Sequence, residues 1–203
     1  MIKNLIFDMG GVLISYRWKE AFADFGLEEK DFMRIGQEIF EFPMWHELDL
    51  GNVSVEETRI ALNEAYPEDK EAIDYLLINH HLMHCYRPKV YELVQKLMDK
   101  GYGIYILSNY CKELYDSHTS EIPFLKDVDG SVISYQIHKG KPEREIYEHL
   151  LNKYSLVPEE CIFFDDRVEN VQGAENAGIN GFLVDHEDEQ SLINKLEEFL
   201  SAR

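Results

Sequence analysis

Nowhere do about 18 apolar residues follow one another in this chain of 203, so no segment offers itself as a membrane span. The opening MIKNLIFD is too short and too quickly acidic for a secretory leader, and the expected compartment is the cytoplasm, with no membrane partner. Cysteine is scarce. Cys85, Cys111 and Cys161 are odd in number, far apart and without a CxxC pair, which removes a disulfide framework and a zinc site from consideration. Positive charge is short as well: 20 Lys and Arg stand against 39 Asp and Glu, a net charge of -19 that argues against a nucleic-acid partner. Internal repeats and low-complexity tracts are missing. With 45% hydrophobic and 29% charged residues, the composition is that of a packed globular chain, long enough for one core plus a small inserted module. No long apolar stripe remains unassigned, and a monomer is expected.

Short apolar runs at 2–7, 103–107, 131–135, 161–164 and 181–184 read as buried strands, with helical periodicity between most of them. That alternation predicts an α/β fold, a doubly wound parallel sheet with helices on both faces, whose ligands bind beyond the carboxyl ends of the strands. One interval is too long. A strand-to-strand crossover needs about 30 residues, whereas roughly 95 separate the first run from GYGIYIL. Residues 16–86, helical in pattern with breaks near Gly26, Pro43, Gly51 and Pro67, are therefore read as an inserted all-helical cap, and 1–15 with 87–203 as the core. Pro88 suits the first turn of a helix over 88–100, and the tail 187–203 reads as a terminal amphipathic helix.

Four groups of polar residues fall at strand ends. Asp8 closes the first run and opens FDMGGVLI, a carboxylate placed as a nucleophile, with Gly10 and Gly11 free to turn sharply and aim backbone groups at a metal or phosphate. Ser108 and Asn109 in ILSNY lie between a strand and a helix expected over 110–118, where a hydroxyl and nearby N–H groups can hold an anion. Lys141 in KGKPEREIY precedes Pro142, a natural first helical residue; a lysine against the positive end of a helix invites an anion between them. Asp165 and Asp166 in IFFDDRVEN repel each other in a partly buried place unless hydrogen bonded or metal bound, and Mg2+ is the natural partner of such oxygen ligands. Each group has an ordinary reading as a turn, cap or solvated charge. Their conjunction supplies a nucleophile, a cation site and anion donors, which is what phosphoryl transfer requires.

FDMGGVLI, ILSNY, GKPEREIY and FFDDRVEN, in this order, resemble the four motifs of the haloacid dehalogenase superfamily, and the resemblance spans essentially the whole chain. The insertion resembles the small helical cap of its phosphatase branch, in particular the sugar-phosphate phosphatases that include alpha-glucose-1-phosphate phosphatases. The resemblance implies a strand order 5-4-1-2-3 and an Mg2+-dependent phosphatase of a small phosphorylated metabolite, expected to be a sugar phosphate. It implies Asp8 as nucleophile forming an aspartyl-phosphate, Lys141 as its neutralising catalytic partner, and Ser108, Asn109, Gly10 and Gly11 at the phosphate. Metal ligands would be Asp8, the Gly10 carbonyl, Asp165 and Asp166, with Asn170 orienting them. In caps of this type the stretch Trp45, His46 and Glu47 can face the nucleophile, making His46 a substrate-binding candidate.

The pattern is broken at one position: most phosphatases of that superfamily carry an aspartate two residues after the nucleophile as general acid and base, and here stands Gly10. General acid–base help is worth roughly 10²–10⁴-fold, so this chain is expected to favour good leaving groups or to borrow a donor from the cap. The alternative is a binding protein that kept the fold and lost the chemistry. A signalling receiver domain fits poorly in motif order and length, a dehalogenase would not need the acidic pair, and a phosphomutase needs the missing acid. His80 and His84, one helical turn apart if helical, lack a third ligand for zinc, and Tyr16, Arg17 and Trp18 lie at the expected hinge.

Overall fold

The computed structural model describes residues 1–202; Arg203, the last residue of the expected tail helix, lies outside the described residues. In chain order the elements are β1 (Asn4–Phe7), β2 (Ile14–Tyr16), α1 (Trp18–Phe25), α2 (Glu29–Phe40), α3 (Pro43–Asp49), α4 (Val55–Ala65), α5 (Lys70–Ile78), β3 (His84–Tyr86), α6 (Pro88–Asp99) and β4 (Gly103–Ser108). They continue with α7 (Lys112–Thr119), β5 (Gly130–Ile133), α8 (Ser134–Ile137), α9 (Arg144–Tyr154), β6 (Cys161–Asp165), α10 (Val168–Asn176), β7 (Asn180–Leu183) and α11 (Glu189–Ser201).

The main sheet runs β5-β4-β1-β6-β7, every neighbouring pair parallel. Counted along its own five strands from the β7 edge, this is the 5-4-1-2-3 order that the resemblance implied. Its strands carry apolar residues without polar alternation because both faces are covered. Leu5 and Phe7 of β1 join one hydrophobic cluster with Ile104, Ile106, Ile162 and Phe164, while Ile6 between them joins the other with Tyr105, Leu107 and Phe163. The first face packs on Val90, Val94 and Leu97 of α6 and Leu192 and Leu196 of α11; the second packs on Ile146, Tyr147 and Leu150 of α9 and Ala174 of α10. Rings of Phe7 and Phe164 stack across neighbouring strands at 4.9 Å.

Between β1 and β4 the chain makes its excursion. β2 and β3 pair antiparallel as a two-stranded ribbon, and α1 to α5 run between them. Local chemistry sets their limits: Pro43 starts α3, α1 ends at Gly26, and Ser54 with Glu57 forms a reciprocal capping box at the start of α4. Apolar stripes of α1, α2 and α5, including Phe22, Ile35, Ile39, Ile73 and Leu76, are continuous with the first cluster.

Three local expectations are corrected. The run at 131–135 does not stay extended: β5 stops at Ile133, and buried Ser134 turns into α8 because its hydroxyl accepts from the Tyr110 N–H at 2.9 Å. The helix after Lys141 starts at Arg144 rather than Pro142, since a turn closed by Glu143 N–H on the Gly140 carbonyl at 2.9 Å holds these residues out of helical geometry. His80 and His84 do not share a helical face, because His84 already belongs to β3.

What gathers around those histidines is a third, His118 of α7, fully buried and stacked on His84 at 4.4 Å. Its Nε2–H donates to the His80 carbonyl at 2.8 Å, so Nδ1 is unprotonated and accepts from the Tyr110 hydroxyl at 2.9 Å. Burial pushes its pKa down to about 3, opposed by the His80 carbonyl. Because the folded-state value lies below the ordinary 6.5, the unfolded chain binds the extra proton, and the stability contribution is complete above pH 6.5 and lost as pH falls toward 3. Urea unfolding at pH 7.5 and 5.5 is expected to show about 1.4 kcal/mol more loss in the wild-type chain than in His118→Gln; equal losses would contradict the assignment.

Candidate functional site

The register of the sheet assembles the site. Phe7 is level with Phe164 on one side and Ile106 on the other, so the next residue of β1, Asp8, comes level with Asp165 and one short of Ser108 at the ends of adjacent parallel strands. Asp8 is 7% exposed, and its Oδ1 accepts from the Met9 N–H at 2.7 Å, the Ser108 hydroxyl at 2.6 Å and the Lys141 ammonium at 2.9 Å. Among the described residues nothing donates to Oδ2. Burial pushes the Asp8 carboxyl above its usual range, against the pull of Lys141 and with the push of Asp165.

Lys141 is buried and bridges the two carboxylates, reaching Asp165 Oδ2 at 2.6 Å. Burial alone would lower its pKa, but Asp165 and Asp8 outweigh that and hold it above the ordinary lysine value, so it is an ammonium. Its backbone is clamped by Asn109, whose Oδ1 accepts from the Lys141 N–H at 2.8 Å and whose Nδ2 donates to the Lys141 carbonyl at 2.9 Å. One hydrogen of that amide remains for a ligand. Lys141 thus owes its place to a side-chain clamp instead of a helix N-terminus.

Asp165 is spent on protein partners: Lys141, the Arg167 N–H at 2.9 Å, and Asn170 Nδ2 at 3.0 and 3.2 Å. Asn170 is held in turn by its carbonyl, which accepts from the buried Tyr147 hydroxyl at 2.7 Å. Asp166 turns the other way, toward the glycine turn. Gly11 has φ +69°, and a Cβ there would fall 2.3 Å from Asp166 Oδ2, so only glycine fits both the backbone and the carboxylate. Burial and then Asp165 push the Asp166 carboxyl upward. Ligand oxygens of Asp8, Asp165 and Asp166 lie within 4.8 Å of one another with Lys141 as their cation, an excess of negative charge that a divalent cation would balance.

A cavity of about 270 Å³ opens above these groups. Asp8, Gly10, Asn109, Lys141, Asp166 and Asn170 come to it from the sheet ends, with Trp18, Phe40, Trp45 and Asp49 from the helical insertion and Tyr16 and Tyr110 completing the polar rim. Ser108 lies beneath Asp8, Gly11 lines a neighbouring cleft, and Asp165 is fully buried behind Lys141. His46 is on the exposed side of α3, outside this lining, while Trp45 and Asp49, four residues apart on one helical face, are inside it. Arg17 sits outside as well, 3.9 Å from Asp24; the arginine on the cavity wall is Arg167.

Position 10 has its own explanation. A Cβ on Gly10 would fall 2.4–2.7 Å from the ring and hydroxyl of Tyr16, so the volume that a side chain would need is filled by that ring. Tyr16 and Tyr110 hydrogen-bond through their hydroxyls; Tyr110 is buried while Tyr16 is 48% exposed, and loss of water around the hydroxyls raises both phenols above their usual range. Sequence reasoning did not single out Asp49 or Tyr110. The signal for Asp49 was available in its helical spacing from Trp45.

Residues 2–178 match the haloacid dehalogenase-like hydrolase family, and the chain belongs to it. It is 25% identical over 199 residues to a D-ribitol-5-phosphate phosphatase of Bacteroides thetaiotaomicron, covering 90% of this chain and 91% of that one. It is 28% identical over 185 residues to a sesquiterpene phosphatase of Aspergillus oryzae, covering 88% of each. Its fold is similar to that of a haloacid dehalogenase family enzyme of B. thetaiotaomicron solved with magnesium and inorganic phosphate, with TM-score 0.75, 24% identity, and coverage of 95% of this chain and 99% of the other.

Replacing Lys141 leaves two buried carboxylates without their counter-charge. Lys141→Met is expected to lower the unfolding free energy by about 3–5 kcal/mol, read by urea titration, and Asp165→Asn added to it should recover part of the loss. A cost below about 1 kcal/mol would show that the ammonium does not hold the strand ends together.

Proposed function

We propose that the protein is a magnesium-dependent phosphatase of a small phosphorylated metabolite, a sugar phosphate, working through an aspartyl-phosphate on Asp8. The observation that carries this reading is the Asp8 carboxylate itself: Oδ1 is fixed by three donors while Oδ2 has none, at the floor of a cavity that also receives Lys141 and Asp166. A carboxylate fixed at one oxygen and free at the other is pre-organised to attack. Kinship with two phosphatases over nearly the full chain supports the same reaction class.

In this reading Oδ2 of Asp8 attacks phosphorus, the bond to the leaving oxygen breaks, and water then releases phosphate from Asp8. Lys141 offsets the charge that gathers around Oδ1, and the spare Asn109 N–H meets a phosphate oxygen. Asp8, the Gly10 carbonyl and Asp166 are the residues suited to hold magnesium, which would supply positive charge to the phosphoryl oxygens. Asp165, with its oxygens committed to Lys141, Asn170 and Arg167, serves as the anchor of the lysine. Residues 16–86 act as the cap that contributes the aromatic wall of Trp18, Phe40 and Trp45, against which the C–H face of a sugar can stack. The protein would work as a cytoplasmic monomer; among the described residues no helix is long and apolar enough to cross a membrane.

Two measurements test this. Hydrolysis of p-nitrophenyl phosphate and of a panel of sugar phosphates should require magnesium and fall by about 10³-fold or more in Asp8→Asn. Independently of turnover, magnesium at about 100 times its dissociation constant should stabilise the chain by about 2.7 kcal/mol, and Asp166→Asn should lose most of that gain. Turnover that survives in Asp8→Asn, or that persists in excess chelator, would refute the reading.

A further inference from the structure

A phosphatase with glycine at position 10 has no carboxyl where a leaving-group acid is ordinarily carried, and the Tyr16 ring already fills that volume. We infer that Asp49, the last residue of α3, protonates the leaving-group oxygen and then deprotonates the attacking water, from the cap instead of from the nucleophile loop. The inference rests on the phosphatase reading above.

Asp49 shares the cavity with Asp8, and of the three carboxylates lining it, Asp49 alone comes from outside the sheet ends. Its carboxyl has no hydrogen-bond or ion-pair partner among the described residues, so it is available to a ligand. The backbone beneath it is not loose. The Asp49 carbonyl accepts from the buried Ser134 hydroxyl, the same hydroxyl that receives the Tyr110 N–H, and the next carbonyl, that of Leu50, accepts from His138 Nδ1 at 2.9 Å. A Cβ on Gly51 would lie 2.9 Å from the Tyr135 Cβ, so the chain runs hard against α8 at this point. These contacts hold the end of α3 on the rim of the sheet, where Asp49 lines the cavity.

The chemistry of the group agrees. Burial pushes the Asp49 carboxyl up to about 7, with Lys141 and Arg167 pulling the other way, and its place at a helix C-terminus also favours the protonated form. An acid–base group works best near the operating pH. The other ionisable groups facing the chamber are Asp8, Asp166, Lys141, Arg167, Tyr16 and Tyr110. Asp8 is the attacking group and Asp166 the metal's. Lys141 is locked between two carboxylates, and the phenols hold their protons too tightly. In the first half-reaction the Asp8 Oδ2–P bond forms, the P–O bond to the leaving group breaks, and the Asp49 proton moves to that oxygen to give an alcohol. In the second, water loses a proton to the Asp49 carboxylate as it attacks phosphorus, the Asp8–P bond breaks, and phosphate leaves.

The test compares leaving groups. In Asp49→Asn with magnesium, cleavage of glycerol 3-phosphate, whose leaving alkoxide needs a proton, should fall by about 10²–10⁴-fold. The pre-steady-state release of nitrophenolate from p-nitrophenyl phosphate, which needs none, should change by less than about tenfold. The wild-type alkyl-phosphate rate should decline above about pH 7 as Asp49 ionises, and that limb should vanish in the variant. Unchanged binding of inorganic phosphate by calorimetry shows the variant site intact. Equal losses on both substrates, no loss on either, or loss of phosphate binding would overturn the inference. Absence of magnesium-dependent turnover in the wild-type chain would instead remove the phosphatase reading on which it rests.

Discussion

Lys141 carries its ammonium to a place where its side chain is 1% exposed, between Asp8 at 2.9 Å and Asp165 at 2.6 Å. Taking such charges out of water costs several kcal/mol each, and the arrangement stands only because every partner is multiply bonded. Asp8 has Met9 and Ser108, Asp165 has Asn170 and Arg167, and Lys141 has the Asn109 clamp and the Phe163 ring at 5.2 Å. Two strand ends and one loop are joined through this single ammonium, and a third strand end, at Ser108, is tied to it through Asp8. The polar network ties the strand ends together, and the geometry of the Asp8 carboxylate is a by-product of the same fastening.

Much of this was legible in the sequence, for a physical reason. A parallel sheet buried on both faces needs uninterrupted apolar runs, so its strands and their polar ends stand out, and Asp8, Ser108 and Asp165 all close such runs. The excess length between β1 and β4 is taken up by the helices α1 to α5. Less was legible about how the polar residues share their work. Asn109 looks like an anion donor beside Ser108, yet most of its amide holds a backbone segment 32 residues away, a partnership fixed only by tertiary folding. Asp165 and Asp166 are indistinguishable as an acidic pair, and alternation at the strand end sends one behind Lys141 and the other toward Gly11.

The helical insertion shows the limit most clearly. Helix faces can be read from spacing, and Trp45 with Asp49 forms one; which face looks inward depends on how α3 docks, through Ser134 and His138, onto elements 85 to 88 residues later. His46 lies one residue from the inward face and is turned to solvent. The histidines near β3 tell a similar story. Their third member, His118, belongs to α7, and it binds the insertion's return path to the loop that carries Tyr110.

Tyr16 over Gly10 has a consequence for how such a chain can change. An acid introduced at position 10 alone meets the tyrosine ring, and removal of the ring alone leaves an empty corner with nothing gained. The two positions are therefore coupled: a side chain at position 10 and the Tyr16 ring in its present orientation contend for one volume, and either change is read only together with the other.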